Sequence, residues 1–124
     1  MLKPQKHFLI PIRKEQYTSQ NAWLTFIAQD PLRLKSLTAQ FLKEDLKITL
    51  DFKNLKGEFP SRVKLFLAEK DTIVNNQKAF LFCQKRAKRC EQVVYPNTVH
   101  TLEFETCRDQ YFKDLGDWIL DEQG

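Results

Sequence analysis

"RVKLFLAEKDTIVNN" (residues 62–76) and "EQVVYPNTVHTLEFE" (91–105) decide how this chain is read. The first holds a compact apolar run, Val63 to Ala68, ending at Asp71. A short run of that kind, bounded by polar residues, predicts a buried strand. The second opens with a short strand over residues 91 to 95, then turns at Pro96 into a loop that carries His100. Between them "NNQKAFLFCQKRAKRC" (75–90) predicts a helix. Asn75 or Asn76 caps it, and Ala79, Phe82, Cys83 and Ala87 form its inner face.

After the loop, Thr106 and Asp109 stand three apart as a capping pair. They open a final helix that turns Tyr111, Phe112, Leu115, Trp118 and Ile119 inward. Residues 61–124 are therefore a strand–helix–strand–helix unit, and two strands joined by a helical crossover run parallel. In this α/β topology Asp71 and His100 both fall just past the carboxyl ends of neighbouring strands, where open sheets place their chemistry. Adjacent strands lie only about 5 Å apart, so these two side chains are expected to meet. A carboxylate on the imidazole Nδ1–H fixes the tautomer and stabilises the imidazolium formed when Nε2 takes a proton from a nucleophile. Taken singly, Asp71 reads as a turn residue and His100 as a loop histidine; their joint placement favours the pair.

Upstream, residues 1 to 20 read as irregular, broken by Pro4 and Pro11. "NAWLTFIAQ" (21–29) places Trp23, Phe26 and Ile27 at helical spacing. At "DP", Asp30 caps a second helix expected over about residues 31 to 44, with Pro31 at its first position. That helix would carry Leu34, Leu37, Thr38 and Phe41 on one face. A polar connector follows around Gly57 and Pro60, so residues 1–60 form a helical segment and connector that is not an independent domain.

The 124 residues are 42% hydrophobic and 29% charged, the composition of one globular domain. A net charge of +4 with acids interleaved gives no nucleic-acid footprint. Lys85, Arg86, Lys88 and Arg89 complement a helix C-terminus; binding an acidic polymer is the alternative. No apolar run approaches the roughly 18 residues of a membrane span, and no signal-peptide cleavage site is evident. On one helix Cys83 and Cys90 would stand roughly 10 Å apart, beyond the roughly 7 Å reach of a disulfide. Free thiols and a reducing cytoplasm are the expectation. His7, His100 and the cysteines lack ligand spacing, so no metal and no cofactor are expected.

"KLFLAEKDTIVNN", "VVYPNTVHTLEFE" and the closing amphipathic helix together resemble the C-terminal third of an α/β-hydrolase, of the monoacylglycerol-lipase and lysophospholipase type. "FLIPI" and "FIAQDPLRLKSLTAQFL" resemble the cap segment of that family. The resemblance covers roughly residues 8 to 122 and implies Asp71 as triad acid, His100 as triad base, and acyl esters as substrates. It also implies Glu103 and Glu105 as carboxylates that either hold the histidine loop or are merely solvated. Trp23, Phe26 and Phe41 either line an acyl pocket or simply pack.

The departure from that family is the nucleophile, a serine flanked by glycines. The serines here are Ser19, Ser36 and Ser61, and none neighbours Gly57, Gly116 or Gly124. Cys107 falls in the first turn of the last helix and Ser61 at the wrong end of its strand, so neither substitutes. The chain alone is expected to be inactive, the cap and C-terminal portion of a hydrolase. Its partners would be the missing N-terminal half or further copies of itself, assembled as a dimer or higher oligomer through "VKLFLA", the cap helices or both.

Overall fold

A computed structural model describes residues 3–121. Its elements in chain order are β1 (His7–Leu9), α1 (Asn21–Gln29), β2 (Ser36–Thr38), α2 (Ala39–Asn54), β3 (Phe59–Ala68), α3 (Asn76–Arg86), β4 (Ala87–Tyr95) and α4 (Arg108–Leu120). The fold is mixed α/β, with a parallel two-stranded sheet and helices, as expected. The residues sort into two compact units: those up to Ile12 with Asp30–Gly57, and Arg13–Gln29 with the chain from Glu58 onward.

The second unit is built on β3 and β4, which pair in parallel with Val63 opposite Cys90 and Ala68 opposite Tyr95. Its core gathers at the carboxyl end of that ladder, where Ala68, Tyr95 and Leu102 are buried and Phe66, Val93, Cys107 and Tyr111 pack around them. Tyr111 of α4 meets Phe66 edge-on at 5.7 Å and Tyr95 at 6.1 Å, and Trp118 meets Phe66 at 6.4 Å. Such edge-to-face contacts let bulky rings fill a small core. The far end of α4 is held by Arg62, which donates to the Asp121 carboxylate at 2.6 Å and to the Trp118 carbonyl at 2.9 Å.

Several expectations for this unit are corrected. The helix over 75–90 stops at Arg86, because Ala87 adopts an extended conformation and starts β4. The chain thus doubles back, Cys83 and Cys90 come within 5.8 Å at Cα, and they form a disulfide instead of free thiols. Axial spacing along a single helix never applied to them. That bond also removes the support that free thiols gave to a reducing compartment. In α4 the cap position is Cys107, without a side-chain cap, so Thr106 and Asp109 form no capping pair. Phe112 and Ile119 are exposed, while Tyr111 and Trp118 face the sheet. Asn75 does cap α3, its side chain accepting from the Lys78 amide at 2.9 Å.

In the first unit, residues 31–44 are not one helix. Asp30 caps a turn at Leu32 (2.9 Å), and Ser36–Thr38 pairs antiparallel with His7–Leu9, so the N-terminal stretch is not wholly irregular. Thr38 then caps α2 by accepting from the Phe41 amide at 3.1 Å, and the helix runs on to Asn54. Thr38, expected on the apolar face of a helix, is instead its N-cap. Among the described residues no helix is long and apolar enough to cross a membrane.

Candidate active site

β3 and β4 end level with one another, and the two chains stay joined beyond the ladder. The Glu69 amide donates to the Tyr95 carbonyl at 3.1 Å and the Lys70 amide to the Thr98 carbonyl at 2.9 Å. Glu69 accepts from the Asn97 amide at 2.7 Å, Lys70 Nζ donates to Asn97 Oδ1 at 2.8 Å, and the buried Thr98 hydroxyl donates to the Tyr95 carbonyl at 2.8 Å. Asn97 has φ of 57°, a left-handed conformation that asparagine enters more readily than most residues. This turn after Pro96 aims the following loop back over the end of β3.

Asp71 is reached by a tight turn from Ala68, and its carboxylate is fully engaged. Oδ1 accepts from the amides of Ile73 and Val74 at 2.8 and 2.9 Å, and Oδ2 meets His100 Nδ1 at 2.9 Å. The Asp71 side chain is 7% exposed and that of His100 31%. Burial alone would raise the Asp71 carboxyl, but the Val74 amide, the His100 imidazole and the Ile73 amide together hold it below its ordinary value. Ionised at neutral pH, Asp71 has no proton to give, so the proton of the pair sits on Nδ1. Nε2 then carries the lone pair, and the adjacent carboxylate stabilises the imidazolium that forms when it is protonated.

The loop bearing His100 is anchored on its other side by residues 17–19. The Thr101 amide donates to the Tyr17 carbonyl at 2.9 Å, and the Thr18 hydroxyl to the Phe104 carbonyl at 3.2 Å. Glu105, only 4% exposed, accepts from both the amide and the hydroxyl of Ser19 at 2.7 Å each. The Tyr17 ring stands edge-on to the imidazole at 6.3 Å, and Trp23 of α1 stacks on Phe104 at 4.2 Å. Trp23 thus packs on the histidine loop, and Phe26 meets it edge-on at 5.7 Å. Phe41 is exposed on α2.

The family model of a hydrolase family, serine aminopeptidase S33, matches residues 2–107. The chain belongs to this α/β-hydrolase family. No curated protein matches it significantly. The stretch of this S33-family chain that matches includes β3, α3, β4, Asp71 and His100.

Other residues singled out in the sequence lie elsewhere or are otherwise occupied. Burial holds the Cys107 thiol above its ordinary range, reinforced by the charges of Glu105 and Glu103, so it is no ready thiolate. Within the basic cluster Arg89 pairs with Glu91 at 2.8 Å. A cleft of about 340 Å³ beside α4 is lined by charged residues and Trp118, and neither Asp71 nor His100 borders it. No cluster of three metal-ligating side chains occurs among the described residues. Sequence reasoning missed Tyr17, Ser19, Glu69 and Asn97. Only Asn97 carried a signal, the Pro–Asn turn after a strand; Ser19 and Glu105 are 86 residues apart.

Proposed function

We propose that this chain supplies the orienting acid, Asp71, and the general base, His100, of a serine hydrolase that cleaves acyl esters of the monoglyceride or lysolipid class. The observation that carries the reading is the 2.9 Å contact between His100 Nδ1 and Asp71 Oδ2 at the ends of adjacent parallel strands. His100 Nε2 takes the proton from a serine hydroxyl as that oxygen attacks the ester carbonyl, and returns it to the departing alcohol when the tetrahedral intermediate collapses. Asp71 holds the tautomer and the ring throughout. The substrate class rests on the resemblance of the cap and C-terminal stretches to lipases of that type.

The serine lies outside these 124 residues, since no serine here has a neighbouring glycine. Without a nucleophile and its oxyanion hole the chain by itself is inactive, because losing the nucleophile costs several orders of magnitude in rate. A fluorophosphonate probe tests this. The isolated chain stays unlabelled, and adding a polypeptide that carries the glycine-flanked serine of this family restores labelling, which His100→Ala then abolishes. Labelling of the complemented complex that ignores His100→Ala contradicts the reading.

A second reading is a non-catalytic module that assembles through its sheet edge. It is favoured by β3 having β4 as its one strand partner among the described residues. In that case no complementing segment restores labelling.

A further inference from the structure

We infer that Glu105 is a positioning residue for His100, acting through Ser19. This rests on the acid–base reading of His100 and names a residue that the reading does not require. Glu105 is a carboxylate with 4% exposure, and the bonds that hold its side chain come from neutral donors, the Ser19 amide and hydroxyl at 2.7 Å. Burying a charge is costly unless every oxygen is well bonded, and a neutral side chain would fill the same space at less cost. Both of its oxygens are spent on one residue. Charged acceptors make the stronger, shorter hydrogen bonds, and two of them on a single partner fix orientation as well as distance.

What this fixes is the wall beside the imidazole. Ser19 lies two residues from Tyr17, whose carbonyl accepts from the Thr101 amide and whose ring stands edge-on to His100. Thr18, fully buried between them, donates to the Phe104 carbonyl next to Glu105. Residues 17–19 and 101–105 are therefore joined at both ends, with His100 just outside the first joint. Asp71 fixes the imidazole from the strand side. Glu105 fixes the loop that carries it.

The test follows the His100 Nδ1 proton by nitrogen-15 NMR in the full chain. In the unaltered protein this proton exchanges slowly with solvent. Ser19→Ala, which removes one of the two bonds, speeds its exchange ~5-fold, the effect of losing about one hydrogen bond. Glu105→Ala speeds it further, and Glu105→Gln, which keeps the shape and an acceptor, restores much of the slow exchange. Arg62→Met, which removes the bonds at the far end of α4, is the control for general loosening and leaves the exchange unchanged. Should Glu105→Ala not fold, Ser19→Ala and Glu105→Gln still decide. An unchanged Nδ1 proton in folded Ser19→Ala, or equal acceleration by Arg62→Met, overturns the inference. If instead the unaltered protein shows no protonated Nδ1, the acid–base reading itself fails, a result separable from failure of the clamp.

Discussion

Ala68 stands opposite Tyr95 at the last rung of the parallel ladder, and each is followed by a turn that leads to one member of the Asp71–His100 pair. The level ending of the two strands is what lets a carboxylate and an imidazole far apart in sequence lie 2.9 Å apart. The ladder sets the site.

Removing the carboxylate tests how the turn after β3 is held. Asp71→Ala leaves the amides of Ile73 and Val74 and the His100 Nδ1 without their acceptor. Loss of a buried acceptor costs about 1–3 kcal/mol, so the urea midpoint falls measurably while the slope is unchanged. In the complemented enzyme Asp71→Asn lowers kcat by up to ~10⁴-fold, because the amide favours the wrong tautomer.

Acid should weaken the same site. The Asp71 carboxyl is held below its ordinary value of 3.8, so the folded state binds its proton less readily than the unfolded chain. Its contribution is therefore complete above 3.8 and fades as the pH falls through the lower folded value. Urea unfolding across that range shows a steeper loss of stability in the unaltered protein than in Asp71→Asn. Equal slopes would show that the carboxylate is not favoured in the fold.

The Cys83–Cys90 bond makes a redox prediction. It closes a short loop between α3 and β4, for which chain-entropy arguments give about 2–3 kcal/mol. Intact mass should rise by about 2 Da on reduction as each sulfur gains a hydrogen. Reduction should also lower the thermal midpoint, while Cys107→Ser leaves the mass shift unchanged. The absence of any mass change would show that the two thiols are free.

Self-association is the fourth expectation. β3 has β4 as its one strand partner among the described residues, and α2 exposes Phe41, Leu46, Ile48 and Phe52. Unpaired strand edges and apolar patches of this kind template assembly. Light scattering at rising concentration should give a mass above 14.7 kDa, and the double substitution Leu46→Lys and Phe52→Lys should reduce it. A monomer at every concentration would contradict the proposal.

The legible parts of the sequence were those governed by a strong local pattern. The apolar run Val63–Ala68 gave its strand, "NAWLTFIAQ" its helix, and the order of elements gave the parallel pairing and with it the meeting of Asp71 and His100. Boundaries failed where one residue type serves two structures. "AKRC" (87–90) suits a helix by composition yet forms the start of β4, where Cys90 pairs in register with Val63 and bonds to Cys83. Thr38 fits a helix face by its spacing and is instead the cap of α2. The clamp of Ser19 by Glu105 depends on chain segments brought together only by the finished fold, and no local pattern announces it.

The most direct test is the protonation of the His100 ring in solution, read from its two nitrogen-15 resonances at neutral pH. Asp71 as acceptor predicts a single tautomer with the proton on Nδ1, lost or mixed in Asp71→Ala. Two nitrogens with averaged, solvent-like shifts that do not respond to Asp71→Ala would show that carboxylate and imidazole are not coupled, and the assignment of acid and base would fall with them.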